Sequence, residues 1–159
     1  YHTPVHSSES VCLNNVFYMI QKFITFLTEK GIQFDSPDET LVKFSFDGLN
    51  FLFQYRKEDD PQFIRLLLPR IEDLKGDDSD IAVFKRMIDV SSSIKSVKSI
   101  VSNGEVWLTC EEFQSSTENI NQVFERMMAV LRLAYNHYAS VAAKNQTSSS
   151  SSEELYFTS

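Results

Sequence analysis

The sequence contains few histidines and cysteines, the residues that most often bind zinc. Its histidines are His2, His6 and His137, and no cysteine pair has the Cys-x-x-Cys spacing of a zinc site. His2 and His6 have the i, i+4 spacing that places two ligands on one helix face, but Pro4 lies between them. Because no Cys or His follows nearby to complete a ligand set, we expect no metal site.

An acidic cluster, formed by Asp77, Asp78 and Asp80, could suggest a calcium site. An EF-hand-like loop that starts at Asp77 needs a glycine at its sixth position and an acid at its twelfth. This chain has Ala82 and Ile88 at those positions. We therefore interpret the acids as residues that cap the positive end of the helix that follows.

Catalytic and nucleotide-binding motifs are also missing from the sequence. Cys12 and Cys110 have no histidine near them in sequence and lie in apolar surroundings, which is typical of buried, reduced thiols. A location of His137 close to one of them in space stays open at this point. The sequence has no Gly-x-Ser-x-Gly, Gly-x-x-x-x-Gly-Lys or Gly-x-Gly-x-x-Gly motif. We expect no catalytic residue and no cofactor, and thus a non-enzymatic protein.

Composition excludes several classes of partner. The 159 residues include 15 Lys+Arg and 22 Asp+Glu, which gives a net charge of −7. This acidic balance disfavours binding to nucleic acid. No window reaches the ~18 apolar residues of a membrane span, and the first residues lack the basic and apolar regions of a signal peptide. With two cysteines, too few for a disulfide framework, a cytoplasmic location is the expectation.

Thirteen phenylalanines and the length of the chain predict one folded domain. Apolar residues at helical spacing predict a first helix at about residues 9–30, which ends at Gly31. A short strand at residues 32–34 and a turn at residues 35–38 follow. Alternating residues then predict strands at 41–46 and 49–55, joined at Asp47-Gly48, a signal for a type I′ hairpin turn.

The next predicted strand covers residues 63–68 and is stopped by Pro69. A connection at residues 69–79 leads to a second helix at about 79–91, whose apolar face is defined by Ile81, Phe84 and Met87/Ile88. Strands at 95–101 and 105–111 meet at Asn103-Gly104, a second hairpin signal. A capping box from Ser115 to Glu118 begins a third helix, which extends to about residue 143.

The element order α-β-β-β-β-α-β-β-α predicts an α+β domain in which helices pack on an antiparallel sheet. Its expected parts are a disordered N-terminal segment at residues 1–8, a single domain at 9–145 and a Ser-rich flexible tail at 146–159.

The third helix carries more than one apolar stripe, which suits adaptable contacts with a partner protein. The candidate partner-binding residues are Met127, Met128, Leu131, Leu133, Tyr135 and Tyr138. The alternative, that both stripes belong to the core, stays open. Exposed strand edges offer a second route for binding. Another hypothesis is a small-ligand-binding regulatory domain with an aromatic pocket lined by Phe44, Phe51, Phe53 and Trp107.

The second half of the chain, from about residue 81 to residue 138, resembles the YbjN-like family of bacterial proteins. The resemblance is carried by the hairpin K-S-V-K-S-I-V-S-N-G-E-V-W-L-T-C-E-E-F and the helix end L-R-L-A-Y-N-H-Y. The hairpin D-G-L-N-F-L-F-Q-Y in the first half is compatible with it, so the resemblance covers about residues 10–143. It implies a fold like that of type III secretion chaperones, found in small acidic proteins that often dimerise.

The resemblance also implies a regulatory or chaperone-like role without enzymatic activity, and it supplies no functional residues. We therefore expect a cytoplasmic protein-interaction module that binds an unidentified protein partner and can form a homodimer.

Overall fold

The structure, a computed structural model, describes the backbone of residues 8–156 and the side chains of residues 19–145. It is an α+β domain whose order of elements matches the predicted one. The predicted disordered segment lies outside the described residues except for Ser8. The elements are α1 (Ser8–Glu29), β1 (Phe34–Asp38), β2 (Leu41–Phe46), β3 (Leu49–Gln54), β4 (Phe63–Asp73), α2 (Asp80–Ser93), β5 (Val97–Ser102), β6 (Glu105–Phe113) and α3 (Ile120–Tyr156).

The six strands form one antiparallel sheet in the order β1-β2-β3-β4-β6-β5. Both predicted hairpin turns are present. Asp47 and Gly48 have φ of 53° and 76°, and Asn103 and Gly104 have φ of 51° and 73°. Positive φ at both central residues is what a type I′ turn requires, so these turns set the register of β2 with β3 and of β5 with β6.

The first strand differs from the prediction, which placed a turn at residues 35–38. These residues belong to β1, and the chain reverses after Asp38, whose carboxylate accepts hydrogen bonds from the Thr40 amide at 2.7 Å and hydroxyl at 2.6 Å. Pro37 is tolerated in β1 because this strand is at the edge of the sheet, where an amide hydrogen is not needed. The prediction of a turn at Pro37 was therefore wrong.

The fourth strand also passes the proline that was predicted to stop it. Leu68 pairs with Leu108 and Glu72 pairs with Val106, so β4 contains extra residues in a bulge. Arg70, in this bulge, has a φ of 55°. A bulge accommodates a proline because the local ladder is already interrupted.

The third helix begins later and extends further than predicted. Asn119 has a φ of 60°, and the Ser116 hydroxyl accepts a hydrogen bond from the Glu118 amide at 3.1 Å, so the helix starts at Ile120 without the predicted capping box. Its backbone continues through the five serines to Tyr156, where the sequence predicts a flexible tail. Extending a formed helix through serine costs only about 0.5 kcal/mol per residue relative to alanine.

Aromatic rings fill the core between the sheet and helices α1 and α3. The Phe23 ring stacks on Phe53 with centroids 4.0 Å apart, and the edge of Phe124 meets Phe23 at 4.9 Å. All three side chains are buried. None of the helices that the structure describes combines the length and apolar character needed to cross a membrane.

Candidate functional site

The second helix exposes large apolar side chains to solvent. Ile81, Phe84 and Ile88 are 55%, 43% and 65% exposed, although they form the apolar face that the sequence predicts for this helix. We call these three residues the α2 face. The opposite side of the helix is buried and includes Val83 and Val90. The domain core therefore leaves the α2 face uncovered.

A buried arginine explains this orientation of α2. Arg86 lies on the buried side of the helix, where its Nη2 donates a hydrogen bond to Glu72 Oε1 at 2.6 Å. The Tyr138 hydroxyl donates to the other oxygen of Glu72. The Arg86 guanidinium lies 5.6 Å from the centroid of the Tyr138 ring. Because these partners come from β4 and α3, Arg86 connects α2 to both elements.

The protonation states of this cluster agree with its hydrogen bonds. Burial alone would lower the pKa of Arg86, but the neighbouring Tyr138 side chain and the charge of Glu72 raise that pKa above its ordinary value. Burial and the hydrogen bond to Glu72 raise the pKa of Tyr138 to about 12. At neutral pH the arginine is therefore charged and the tyrosine keeps the proton that it donates.

Further contacts hold α2 on both flanks. On one side, His137 Nε2 of α3 lies 2.6 Å from Asp89 Oδ2. On the other side, the Ser99 amide of β5 donates to the Ser91 hydroxyl at 2.9 Å, and the Ser99 hydroxyl donates to the Met87 carbonyl at 3.1 Å. We infer that α2 is a fixed part of the domain and presents its apolar face in one orientation.

The strand beside α2 extends this apolar surface. Residues 94–96 form a short connection between α2 and β5, so β5 runs back along the helix. Val101 is on the same strand face as Ser99 and is 48% exposed. It therefore lies beside the N-terminal half of α2, at the edge of the sheet.

The two ends of α2 carry opposite charges. Asp77 and Asp78 are exposed before the first residue of the helix, and Lys95 is exposed just after its last residue. Hydrogen bonds from the Ser79 hydroxyl and amide lower the pKa of Asp77, so this carboxylate is ionised at neutral pH. The α2 face thus lies between an acidic and a basic end.

Most of the candidate partner-binding residues of α3 are inside the domain. Met127, Met128, Leu131 and Tyr138 are buried in the core, and Tyr135 is partly buried against it.

Leu133, exposed by 57%, is the member of the predicted set that faces solvent. This burial corrects the expectation of a wide accessible face on α3. It fits the alternative that both apolar stripes are core.

The predicted aromatic pocket does not form between the four residues named for it. Phe44, Phe51 and Phe53 are buried in the core, where the Phe44 and Phe51 rings stack at 5.1 Å. Trp107 lies on the opposite face of the sheet, because its neighbours Val106 and Leu108 point into the core.

A different cavity, of about 870 Å³, lies between α1, the β1–β2 hairpin and the turn that follows β3. Its charged lining residues are Asp38, Glu39, Arg56, Lys57, Glu58 and Asp59. Apolar lining comes from Ile20 and Ile24 of α1, together with the ring of Tyr55. Carboxylates outnumber cations in this lining, so a small cationic ligand would suit it better than an anion.

Cys110 and His137, the cysteine and histidine whose side chains are described, both make contacts within the domain. Cys110 is buried, and desolvation together with Glu112 and Glu111 raises its pKa to about 12, so it is protonated at neutral pH. His137 lies against Asp89. The described side chains contain no group of three or more His, Cys, Asp or Glu that could hold a metal ion. Cys12, His2 and His6 lie outside the residues whose side chains are described.

On the sheet face opposite the helices, Glu111 joins two cations from neighbouring strands. Its carboxylate lies 2.7 Å from Arg65 Nη2 of β4 and 2.8 Å from Lys98 Nζ of β5. Burial alone would raise the pKa of Glu111, but hydrogen bonds from Lys98 and Arg65 lower it below its ordinary value. This network links the three adjacent strands β4, β6 and β5.

No family model matches the chain, and a comparison with curated proteins finds no match. Among the described residues, the α2 face and the cavity beside α1 are the two candidate sites that we consider.

Proposed function

We propose that this chain is a non-enzymatic protein-interaction module with a chaperone-like regulatory role in the bacterial cytoplasm, and that the α2 face is its docking surface. The observation that carries the proposal is the exposure of Ile81, Phe84 and Ile88 on a helix whose other side contains the buried Arg86. Contiguous exposed apolar residues mark interaction sites more often than isolated ones do.

Two physical properties make this surface suitable for docking. Covering apolar area yields about 25 cal/mol per Å², so a partner gains free energy directly from these side chains. The contacts of Arg86, Asp89 and Ser99 hold the helix in place before a partner arrives. Binding then requires little ordering of α2, which lowers its entropic cost.

We also propose membership of the YbjN-like family, which the element order of the domain supports. Helices on an antiparallel sheet are the architecture that this resemblance implies. A chaperone-like role agrees with an apolar docking surface on an acidic protein.

Site-specific photo-crosslinking tests the docking surface. A photoreactive phenylalanine analogue replaces Phe84 in one variant and Leu133 in a matched control, since both positions are exposed but Leu133 lies outside the α2 face. In cells that express the chain, we expect a defined crosslinked protein from position 84 and much less from position 133. The purified crosslinked protein should bind the wild-type chain at least tenfold more tightly than the Phe84→Glu variant.

Two results would argue against this function. One is that the photoreactive variant at position 84 yields no more crosslinked protein than the variant at position 133. The other is equal affinity of the purified crosslinked protein for the wild type and for Phe84→Glu.

A second candidate function is binding of a small ligand in the 870 Å³ cavity beside α1. A ligand that binds only the folded state raises the melting temperature by mass action. A thermal-shift screen of small cationic and zwitterionic metabolites tests this alternative. A genuine ligand should lose its effect in Glu58→Lys, which reverses a charge of the lining, and should keep it in Phe84→Glu.

A further inference from the structure

We propose that the 870 Å³ cavity beside α1 binds a linear aliphatic diamine or polyamine, a flexible chain that carries an ammonium group at each end. This inference rests on the second candidate function, the binding of a small ligand in this cavity, and names the class of that ligand. The cavity volume is within the range of roughly 300–1,000 Å³ that is typical of small-molecule sites.

The charges of the cavity lining match a ligand with more than one positive charge. Two separate turns each contribute a pair of carboxylates, namely Asp38 and Glu39 between β1 and β2, and Glu58 and Asp59 after β3. The cations of the described lining, Arg56 and Lys57, offset two of these charges. A ligand with two ammonium groups neutralises the remaining two, whereas a monocation leaves one of them unmatched.

The apolar part of the lining matches the aliphatic chain of such a ligand. Ile20 and Ile24 are one turn apart on the same face of α1, and both line the cavity together with the ring of Tyr55. Methylene groups gain free energy when they cover this surface. A hydrated inorganic dication does not, so the lining favours an organic dication over a metal ion.

Tyr55 connects the two acidic turns, and the cavity is therefore largely formed before a ligand arrives. The Tyr55 amide donates a hydrogen bond to the Thr40 carbonyl at 2.9 Å, and its hydroxyl donates to the Pro61 carbonyl at 2.8 Å. Hydrogen bonds from Thr40 and the charge of Arg56 lower the pKa of Asp38, so this carboxylate is ionised at neutral pH. Because the turns are held in place, binding requires little ordering of the lining.

Isothermal titration calorimetry of the full chain tests the ligand class with three probes. Cadaverine has five methylene groups between two ammonium groups, pentylamine has a chain of the same length with one ammonium group, and magnesium has two charges and no chain. We expect cadaverine to bind, and pentylamine and magnesium each to bind about tenfold more weakly or less, because each lacks one of the two features that the lining matches.

Two double variants test whether the cavity is the binding site. Glu39→Gln/Glu58→Gln removes one carboxylate from each turn and should weaken cadaverine binding by about tenfold or more. The matched control is Glu29→Gln/Glu118→Gln, which changes the net charge equally at two exposed positions outside the cavity lining. The control should bind cadaverine as the wild type does. Thermal unfolding of each variant confirms that it is folded.

The outcomes separate this inference from the function on which it rests. Absence of cadaverine binding, equal affinity for cadaverine and pentylamine or magnesium, or equal weakening in the two double variants would overturn it, the last because the chain then attracts cations only through its net charge. If another compound of the thermal-shift screen loses its effect in Glu58→Lys, the cavity still binds a small ligand, but one of a different class. If no compound does so and cadaverine does not bind, both proposals for the cavity fail.

Discussion

Arg86 lies at a position of α2 where burial normally favours an apolar side chain. Taking a guanidinium out of water is costly unless the charge is paired and its donors are bonded. Here Glu72 accepts from Arg86 and from the Tyr138 hydroxyl, so the carboxylate serves two elements at once. The ion pair with Glu72 and the contact with the Tyr138 ring offset part of the cost of burying Arg86, whose Nε lies buried without a hydrogen-bond partner among the described residues. The same contacts join α2 to β4 and α3.

Replacing Arg86 should therefore lower the stability of the domain, because the partly buried Glu72 loses its charged partner. Arg86→Met leaves Glu72 as a partly buried carboxylate without its cation, and we expect the free energy of unfolding to fall by about 2–4 kcal/mol. Urea denaturation measures the change. The double variant Arg86→Met/Glu72→Gln should lose less than the sum of the two single variants, because each single variant already breaks the same interaction. Strict additivity would contradict the coupling.

Glu111 should make the stability of the sheet depend on pH. Its pKa is lowered in the folded state, so near the ordinary value of 4.5 the unfolded chain binds more protons than the folded one. Stability from Glu111 is therefore present above pH 4.5 and is lost as the pH falls through the lower folded pKa. Glu111→Gln should cost about 1–2 kcal/mol at pH 7, and less as the pH falls.

Denaturant unfolding of wild type and Glu111→Gln from pH 7 to pH 3 gives the comparison. Glu118→Gln is the control, since Glu118 is exposed and outside the network, and it should leave the pH profile nearly unchanged. If the difference in the free energy of unfolding between wild type and Glu111→Gln is the same at every pH, the Glu111 carboxylate does not make stability depend on pH.

At the scale of elements, the two sides of α2 should respond differently to the same charged residue. Ile88→Lys adds a cation to an exposed position and should change the free energy of unfolding by less than about 0.5 kcal/mol. Val90→Lys buries an unpaired charge and should cost more than about 3 kcal/mol or prevent folding. Thermal unfolding followed by circular dichroism measures both. Equal destabilisation by the two changes would mean that the α2 face is packed against the domain and is not exposed.

The hairpins were predictable because their signals are local. Asp47-Gly48 and Asn103-Gly104 are surrounded by alternating apolar residues, and both turns have the predicted positive φ values. The predictions at the two prolines were wrong because the effect of a proline on a strand is not local. Whether Pro37 and Pro69 break a strand depends on the edge position of β1 and the bulge of β4, which are set by neighbours distant in sequence.

The orientation of α2 was not predictable from its own sequence. Apolar residues lie on both sides of this helix, with Ile81, Phe84 and Ile88 on one side and Val83 and Val90 on the other. The choice between these sides depends on the partners of Arg86, which come from β4 and α3. A local pattern contains no information about them, and the sequence pattern therefore favours α3 as the binding surface instead.

At the scale of the molecule, the core should not depend on the end of the chain. Among the described side chains, Tyr138 is the last residue of α3 in the core. Deletion of residues 146–159 removes helix that extends past this point, and we expect the melting temperature to change by less than about 2 °C. Differential scanning calorimetry of the truncated and full chains measures the shift. A much larger loss would show that the serine-containing part of α3 packs on the domain.

Strand pairing between elements that are distant in the chain also limits how much of the whole fold can be predicted from the sequence. Strand β4 pairs with β6, although α2 and β5 lie between them in the chain. The α+β class and the order of elements follow from local patterns. The pairing of β4 with β6, and with it the exposure of the α2 face, depends on contacts across the whole sheet.

The edge strand β1 has a consequence for the behaviour of the protein at high concentration. An open strand edge is a template on which chains add to one another and grow into fibrils. Pro37 removes an amide hydrogen from this edge, and the exposed carboxylates of Asp35 and Asp38 repel a second copy of the same strand. We therefore expect that the chain does not polymerise through β1.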